Sequence, residues 1–364
     1  MQASIEELTE VIETRPDYAD AYFNRAVLYT SERRYEEAMA DYAKAIELNP
    51  TDTGAYNNRG NLYIFFNKSE EAIADFDKAI ELNPHDPDAY YNRAILFTEM
   101  GQLEEALLDY DAALENNFQD PALFFNRAMV LLRQGDWENA LDDLGQTIKL
   151  RPDHADSYVA RANLYTDLSR YQEAMNDYNT AIRIRPQFLV AHFNRANLLY
   201  GLGYHEKALE DYDQVLEINP KESNALISRG NLLDDLERYE EALADYGEAI
   251  ELLPEGTDAR FNRAIVYKKL EQYDNALADY SKIIELNPQE AEAYNNRGNL
   301  LADLGQFEEA LQDYDRALEN RPDYAEGYIN RAILLKSLGR IGEAREDYEK
   351  ALSLNPDLRG VIEV

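Results

Sequence analysis

Prolines recur at Pro16, Pro50, Pro84, Pro152, Pro186, Pro220, Pro254, Pro288, Pro322 and Pro356, in steps of 34 residues, with Phe118 at the one vacant place between Pro84 and Pro152. No insertion or deletion breaks this phase. A fixed period of that length marks a repeat array. It overrides the division into about two or three domains that a chain of this length would otherwise suggest. A unit this short cannot bury its apolar face alone, so units must stack into one continuous core.

Residues 19–52 serve as the reference unit. Ala19 to Glu32 reads as an amphipathic helix, helix A. Arg33 and Arg34 follow in a turn, where later units carry Gly101, Gly135, Gly203, Gly305 and Gly339. Tyr35 to Leu48 reads as helix B, with Ala38, Tyr42, Ala45 and Ile46 at helical spacing. The Asn49-Pro50 pair ends it, because proline cannot continue a helix and pushes its predecessor out of the α region. Paired acids such as Glu36/Glu37, Glu70/Glu71 and Glu240/Glu241 fall in the first turn of helix B, where the helix dipole favours them.

The unit resembles the tetratricopeptide repeat. That pattern appears as Tyr22, Arg25-Ala26, Tyr29, Ala38, Tyr42 and Pro50 in the first unit, and as Tyr294, Arg297-Gly298, Leu301, Ala310, Tyr314 and Pro322 in the ninth. Ten full units, residues 19–358, carry it. The resemblance implies an all-α, right-handed superhelical solenoid of antiparallel helix pairs. The small residue of helix A (Ala26, Gly60, Ala94 and their equivalents) is expected to let helix B approach, with an alanine facing it in every unit from Ala38 to Ala344.

One departure repeats in all ten units. Where the family usually has Leu before the small residue, this chain has Arg: Arg25, Arg59, Arg93, Arg127, Arg161, Arg195, Arg229, Arg263, Arg297 and Arg331. Each unit also has an Asp just before the aromatic position of helix B, from Asp41 and Asp75 through Asp313 and Asp347. Contacting positions of two antiparallel helices have a nearly constant sum, and these two qualify. A partly buried Arg–Asp pair in each unit, fixing helix register, is therefore expected. A guanidinium ladder for an anionic ligand is the competing reading, disfavoured because every Arg has a matched acid.

The resemblance implies that helix A lines a concave groove. Unit position 6 is Asn24, Asn58, Asn92, Asn126, Asn194, Asn262, Asn296 and Asn330, with Ala160 and Ser228 as exceptions. Position 9 is Asn61, Asn163, Asn197, Asn231 and Asn299 in five units. Side-chain amides both donate and accept, so regularly spaced ones can pair with the main chain of an extended peptide. The arrangement is similar to the asparagine ladder in the repeat domain of O-linked GlcNAc transferases. Position 5 adds Phe23, Tyr91, Phe125, Phe193 and Phe261 as apolar anchors. The alternative for any one Asn is support of a loop or neighbouring helix. The carboxylate-clamp class of co-chaperone repeats needs basic groove residues. Here position 2 is often acidic (Asp20, Asp88, Asp156, Asp258, Glu292, Glu326), and position 5 is never basic.

With 71 acidic against 36 basic residues, the formal charge is -35. Nucleic acid and anionic membranes are disfavoured as partners, and a basic or neutral peptide or protein face is favoured. There is no cysteine, hence no disulfide, thiolate metal site or cysteine nucleophile. The four histidines (His85, His154, His192, His205) form no helical ligand pair, and acid clusters such as Asp234-Asp235 lack a calcium-loop spacing. No glycine-rich phosphate loop and no nucleophile with its base stands out, so no cofactor, no metal and no enzymatic activity are expected. Asn67-Lys68-Ser69 fits an N-glycosylation acceptor of the kind chance supplies. The sequence has neither a bilayer-length apolar run nor a signal-peptide start, which makes the cytoplasm the default expectation, with an extracellular location the alternative if the chain is a fragment of a longer protein or a fibre subunit.

Residues 1–18 match only helix B of a preceding unit, with Leu8, Val11, Ile12 and Pro16 on its apolar and terminal positions, and residues 359–364 form a short tail. Terminal repeats normally need a solvated outer face. The sequence thus carries three expectations. The first is a non-catalytic scaffold holding an extended peptide in its groove. The second is a protomer of a head-to-tail filament that self-associates end to end. The third is a repeat region of a larger protein.

Overall fold

The computed structural model describes residues 4–360. Its described residues are α-helical apart from turns and one short 3-10 segment. Two compact units divide the chain, Met1–Pro186 and Gln187–Val364. The boundary coincides with one of the periodic prolines.

The first unit holds α1 (Ile5–Thr14), α2 (Ala19–Ser31), α3 (Tyr35–Leu48), α4 (Thr53–Phe65), α5 (Ser69–Leu82), α6 (Pro87–Glu99), α7 (Leu103–Glu115), α8 (Pro121–Gln134), α9 (Trp137–Leu150), α10 (Ala155–Asp167) and α11 (Tyr171–Ile184). The second holds α12 (Leu189–Gly201), α13 (His205–Ile218), α14 (Ser223–Asp235), α15 (Tyr239–Leu252), α16 (Asp258–Lys269), α17 (Tyr273–Leu286), α18 (Ala291–Asp303), α19 (Phe307–Asn320), α20 (Ala325–Ser337), α21 (Ile341–Leu354) and the 3-10 segment Pro356–Leu358. Even-numbered helices are A helices and odd-numbered ones are B helices. Helix α1 is the expected lone B helix: Ser4 and Glu7 close a capping box at its start, and Leu8 and Ile12 bury themselves against Ala21. Tail residues 361–364 lie outside the described residues, so of the expected 359–364 tail only Arg359 and Gly360 are described.

Within each unit, every A helix packs most closely on the B helix that follows it, and that B helix then meets the next A helix. Successive A helices also touch, as α4 does α6 and α18 does α20, whereas B helices do not meet to that extent. Each stack, taken by itself, therefore has its A helices on the inner side.

The turn between A and B has one geometry throughout. The residue two places before each B helix from α3 to α21 has a positive φ, whether glycine (Gly101, φ 76°) or not (Arg33, φ 60°; Glu237, φ 58°). This is the left-handed residue that lets a helix C-terminus bond back on itself. Glycine adopts it without the side-chain penalty, which explains why five units use Gly there. The one missing proline has a visible consequence. Most B helices run to the residue before Asn-Pro or its equivalent, but α7 ends one residue early. There Asn117 takes φ 65°, and the Phe118 N–H bonds to the Ala113 carbonyl at 3.1 Å. A Schellman turn replaces the proline stop.

The core is the small-residue seam plus an aromatic plug. Ala38, Ala72, Ala106 and their seven equivalents are all fully buried. Where the small residue of helix A is glycine, however, what lies nearest to it is the ring at unit position 24. A Cβ added to Gly60 would stand 2.6 Å from the Phe76 ring, and one added to Gly230 would stand 2.7 Å from the Tyr246 ring. The sequence pattern identified the alanine as the facing group. The aromatic ring makes the closer approach because it reaches across the seam, while the alanine methyl stays beside it.

Candidate functional site

The Arg and Asp of each unit meet as expected. In the seventh repeat, Arg229 donates from Nε to Asp245 Oδ2 at 2.8 Å and from Nη2 to Asp245 Oδ1 at 2.7 Å. The same bidentate geometry joins Arg25 to Asp41, Arg59 to Asp75, Arg93 to Asp109, Arg127 to Asp143, Arg161 to Asp177, Arg195 to Asp211, Arg263 to Asp279, Arg297 to Asp313 and Arg331 to Asp347. The Asp is buried in all ten units. Each guanidinium is therefore neutralised within its own repeat, contrary to what an anion-binding ladder would need.

The sequence reading missed two features of this node. In four repeats, those of Arg25, Arg59, Arg93 and Arg161, the guanidinium lies between aromatic side chains three residues before and four after it on helix A: Arg59 Cζ is 5.7 Å from the Tyr56 and Tyr63 ring centres. In several repeats the arginine Nη1 also reaches an acid sixteen residues back, on helix B of the preceding repeat. That partner is Asp77 for Arg93, Asp111 for Arg127 (2.5 Å), Asp213 for Arg229 (2.6 Å) and Asp315 for Arg331 (2.5 Å). The position is Ser281 for Arg297, where the hydroxyl accepts at 3.0 Å, and Gly247 for Arg263. The repeated Asp sixteen residues before Arg was visible in the sequence as a signal.

Gly247 stands inside α15 with only Arg263 Nη1, at 4.0 Å, near the place a Cβ would take. Gly247→Asp should therefore install the missing acid. Replacing a helical glycine and adding a partly exposed pair should together raise stability by about 1 kcal/mol. A higher midpoint in thermal melting monitored by circular dichroism checks this.

The inner face is carried by the A helices. Of the position-9 amides, four accept from the phenol of their own unit: Asn163 from Tyr178 (2.6 Å), Asn197 from Tyr212 (2.6 Å), Asn231 from Tyr246 (2.8 Å) and Asn299 from Tyr314 (2.7 Å). Burial pushes the Tyr178 and Tyr212 phenols up to about 12 and raises those of Tyr246 and Tyr314 as well, so each keeps its proton and donates it. Asn61 is exposed, and the residue fifteen places on is Phe76, which has no hydroxyl to donate. The co-occurrence of Asn with Tyr fifteen residues later was the unread signal here.

The position-6 amides bridge successive A helices. Asn92 donates to Asn57 (3.0 Å), Asn126 to the Tyr91 hydroxyl (3.1 Å), Asn262 to Asn231 (2.8 Å) and Asn330 to Asn295 (2.9 Å). Asn24 is exposed, whereas Asn58, Asn194 and Asn296 are half-buried. The position-5 aromatics sit edge-on or tilted against helix B tyrosines: Phe23 on Tyr42, Tyr91 on Tyr110, Phe193 on Tyr212 and Phe261 on Tyr280, at 5.9 to 6.1 Å between centres. Phe125 packs on His154 at 5.0 Å. All five are half-buried, so much of each ring belongs to the repeat's own packing.

Charges near the C-terminal ends of the A helices are also cross-linked. Lys269 bonds Asp234 at 2.7 Å, Lys268 pairs with Asp303 at 3.0 Å, and Tyr200 donates to Asp235. Among the described residues, no group of three or more His, Asp or Glu side chains is placed to hold a metal ion, and no helix is long and apolar enough to cross a membrane.

Comparison with known proteins agrees with this geometry. A profile of the tetratricopeptide repeat matches residues 19–52, 54–86, 190–222, 257–290, 291–324 and 325–358, more than half of the chain. A profile described as the TPR repeat matches 162–203 and 230–271, and two further tetratricopeptide-repeat profiles match 76–107 and 122–154. Among solved structures, a tetratricopeptide repeat protein from Parabacteroides merdae is 24% identical, with TM-score 0.53, over 65% of this chain and 93% of that one. YrrB, a TPR protein with an unusual peptide-binding site, is 29% identical over 52% of this chain and 97% of its own, with TM-score 0.46. Yeast Tom70 is 17% identical over 93% and 92%, with TM-score 0.47. Among curated proteins none matches the chain significantly.

Proposed function

The chain belongs to the tetratricopeptide-repeat family, and from that premise we propose that it is a non-catalytic protein-interaction scaffold that holds an extended, basic or neutral peptide against its A-helix face. The observation that supports this most is the paired amide row. At Asn231 and Asn262 the internal bonds use one end of the amide and leave the other for a main chain: Asn231 accepts from Tyr246 and Asn262, and Asn262 donates through its amide nitrogen. A main chain offers alternating donors and acceptors to such a row whatever its side chains. The formal charge of -35 favours basic over acidic partners.

An array of random twelve-residue peptides probed with the whole chain tests the proposal. Basic and neutral peptides are expected to bind, more weakly as salt rises, and to lose about tenfold or more in affinity on combined Asn92→Ala, Asn126→Ala and Asn262→Ala substitution. A preference for acidic peptides, or binding untouched by the three substitutions, overturns it. Sedimentation velocity on the same samples should show one species at all concentrations. Species that grow as salt screens the charge would put end-to-end association in its place.

A further inference from the structure

The polarity of the amides and the shape of the inner face become specific in one place. A cleft of about 370 Å³ opens between α18, α19 and α20. Its apolar side is Ala302, Phe307, Ile333 and Leu334, with Phe307 37% and Ile333 44% exposed although both are large hydrophobic side chains. Asn299 and Asn330 line the same cleft.

Their internal bonds orient them oppositely. The Tyr314 hydroxyl donates to Asn299 Oδ1 at 2.7 Å, which turns the Asn299 amide nitrogen outward as a donor. Asn330 gives its amide nitrogen to Asn295 Oδ1 at 2.9 Å, which leaves Asn330 Oδ1 as an acceptor. One donor and one acceptor on adjacent A helices are what one residue of an extended chain requires through its C=O and N–H. The Asn231/Asn262 pair, two repeats earlier, is oriented the same way by Tyr246.

At the rim, Asp303 pairs with Lys268, and their side chains are 61% and 43% exposed. A pair so exposed contributes little and exchanges partners readily. In a chain of formal charge -35 the incoming residue that gains from the field is a cation beside Asp303.

We propose that this cleft is a subsite for an extended peptide segment that seats one large aliphatic side chain between Phe307 and Ile333, presents its main chain to Asn299 and Asn330, and places a basic residue beside Asp303. The inference rests on the peptide-binding reading above and adds the identity of the residue bound. Tyr314 acts as a positioning residue, through Asn299. Leu334 and Ala302 form the floor, and Lys268 is the group the peptide's cation displaces.

The test uses the full chain with ¹³C-labelled isoleucine δ-methyls and three acetylated heptapeptides with cores Lys-Leu-Lys, Lys-Ala-Lys and Glu-Leu-Glu. The Lys-Leu-Lys peptide is expected to shift the Ile333 methyl saturably, and the other two to bind about tenfold more weakly. Phe307→Ala should weaken the Lys-Leu-Lys peptide by about tenfold. Tyr314→Phe should weaken it about threefold, with an unchanged circular dichroism spectrum, because only the orienting hydroxyl is lost. Equal affinity for the Leu and Ala cores overturns the aliphatic pocket, and equal affinity for the Glu core overturns the charge assignment. Binding that leaves Ile333 unshifted and falls on Asn92→Ala/Asn126→Ala overturns the subsite while keeping the peptide-binding reading. No saturable binding of any of the three overturns the subsite, and the random peptide array then decides the broader reading separately.

Discussion

Asp279→Ala should destabilise the α16–α17 repeat by about 3 kcal/mol, the range expected when one partner of a buried ion pair is removed. Asp279 is 5% exposed and takes both hydrogen bonds of the Arg263 fork, at 2.7 and 2.8 Å. No acid stands behind Arg263, because Gly247 occupies the position sixteen residues back. The guanidinium would stay largely buried with no carboxylate beside it. Asp245→Ala should cost distinctly less, since Arg229 keeps Asp213 at 2.6 Å. Repeat arrays open locally, so hydrogen exchange of the α16 and α17 amides should register the loss before a global melt does. Two controls separate charge from shape. Replacing Arg263 and Asp279 together by Met and Leu should restore most of the stability, and Gly247→Asp should recover part of it by supplying a new partner. Equal costs for Asp279→Ala and Asp245→Ala would mean that the inter-repeat acid contributes nothing.

Phe76→Ala should be more damaging still, at about 4 kcal/mol, toward the upper part of the range for deleting a buried aromatic ring. Phe76 is fully buried, and the residue it covers is Gly60, which has no side chain to relax into the void. Tyr110 covers Ala94 in the next repeat, so a methyl already occupies part of the corresponding space. Adding Gly60→Leu to Phe76→Ala should recover a share of the loss, because the new side chain enters the vacated volume. Gly60→Leu alone should destabilise by about 1–3 kcal/mol, since its Cβ would stand 2.6 Å from the ring. Urea denaturation of the four proteins measures all three differences. If Gly60→Leu is worse in the Phe76→Ala background than alone, the two residues do not share one space.

Much of this was legible in the sequence. The 34-residue phase located the helix pairs, the small-residue seam and the Arg–Asp pairing, because each follows from positions that recur in every repeat. Local chemistry sufficed for many of the turns: glycine holds the left-handed position after five of the A helices, and a proline stops every full-repeat B helix except α7. The Phe118 exception was visible, but its remedy, the left-handed Asn117, was not, since it depends on which backbone bonds remain when proline is absent.

The candidate site was legible only as a set of positions. The resemblance implied that Asn24 through Asn330 are groove positions of the A helices. It could not say which end of each amide is used internally, because that depends on a phenol arriving from another helix, as Tyr314 does at Asn299. Nor could it say that Phe23 or Phe261 rests on a helix B tyrosine rather than standing free.

The sequence by itself determined the repeat, its helical hairpin and the net charge, because these depend on periodicity and composition. Only the tertiary structure decided hydrogen-bond polarity, the second acid on Arg93, Arg127, Arg229 and Arg331, and the cleft beside Ile333. Those depend on distances between side chains from different helices, and a repeat pattern records positions without recording how far apart packing leaves them.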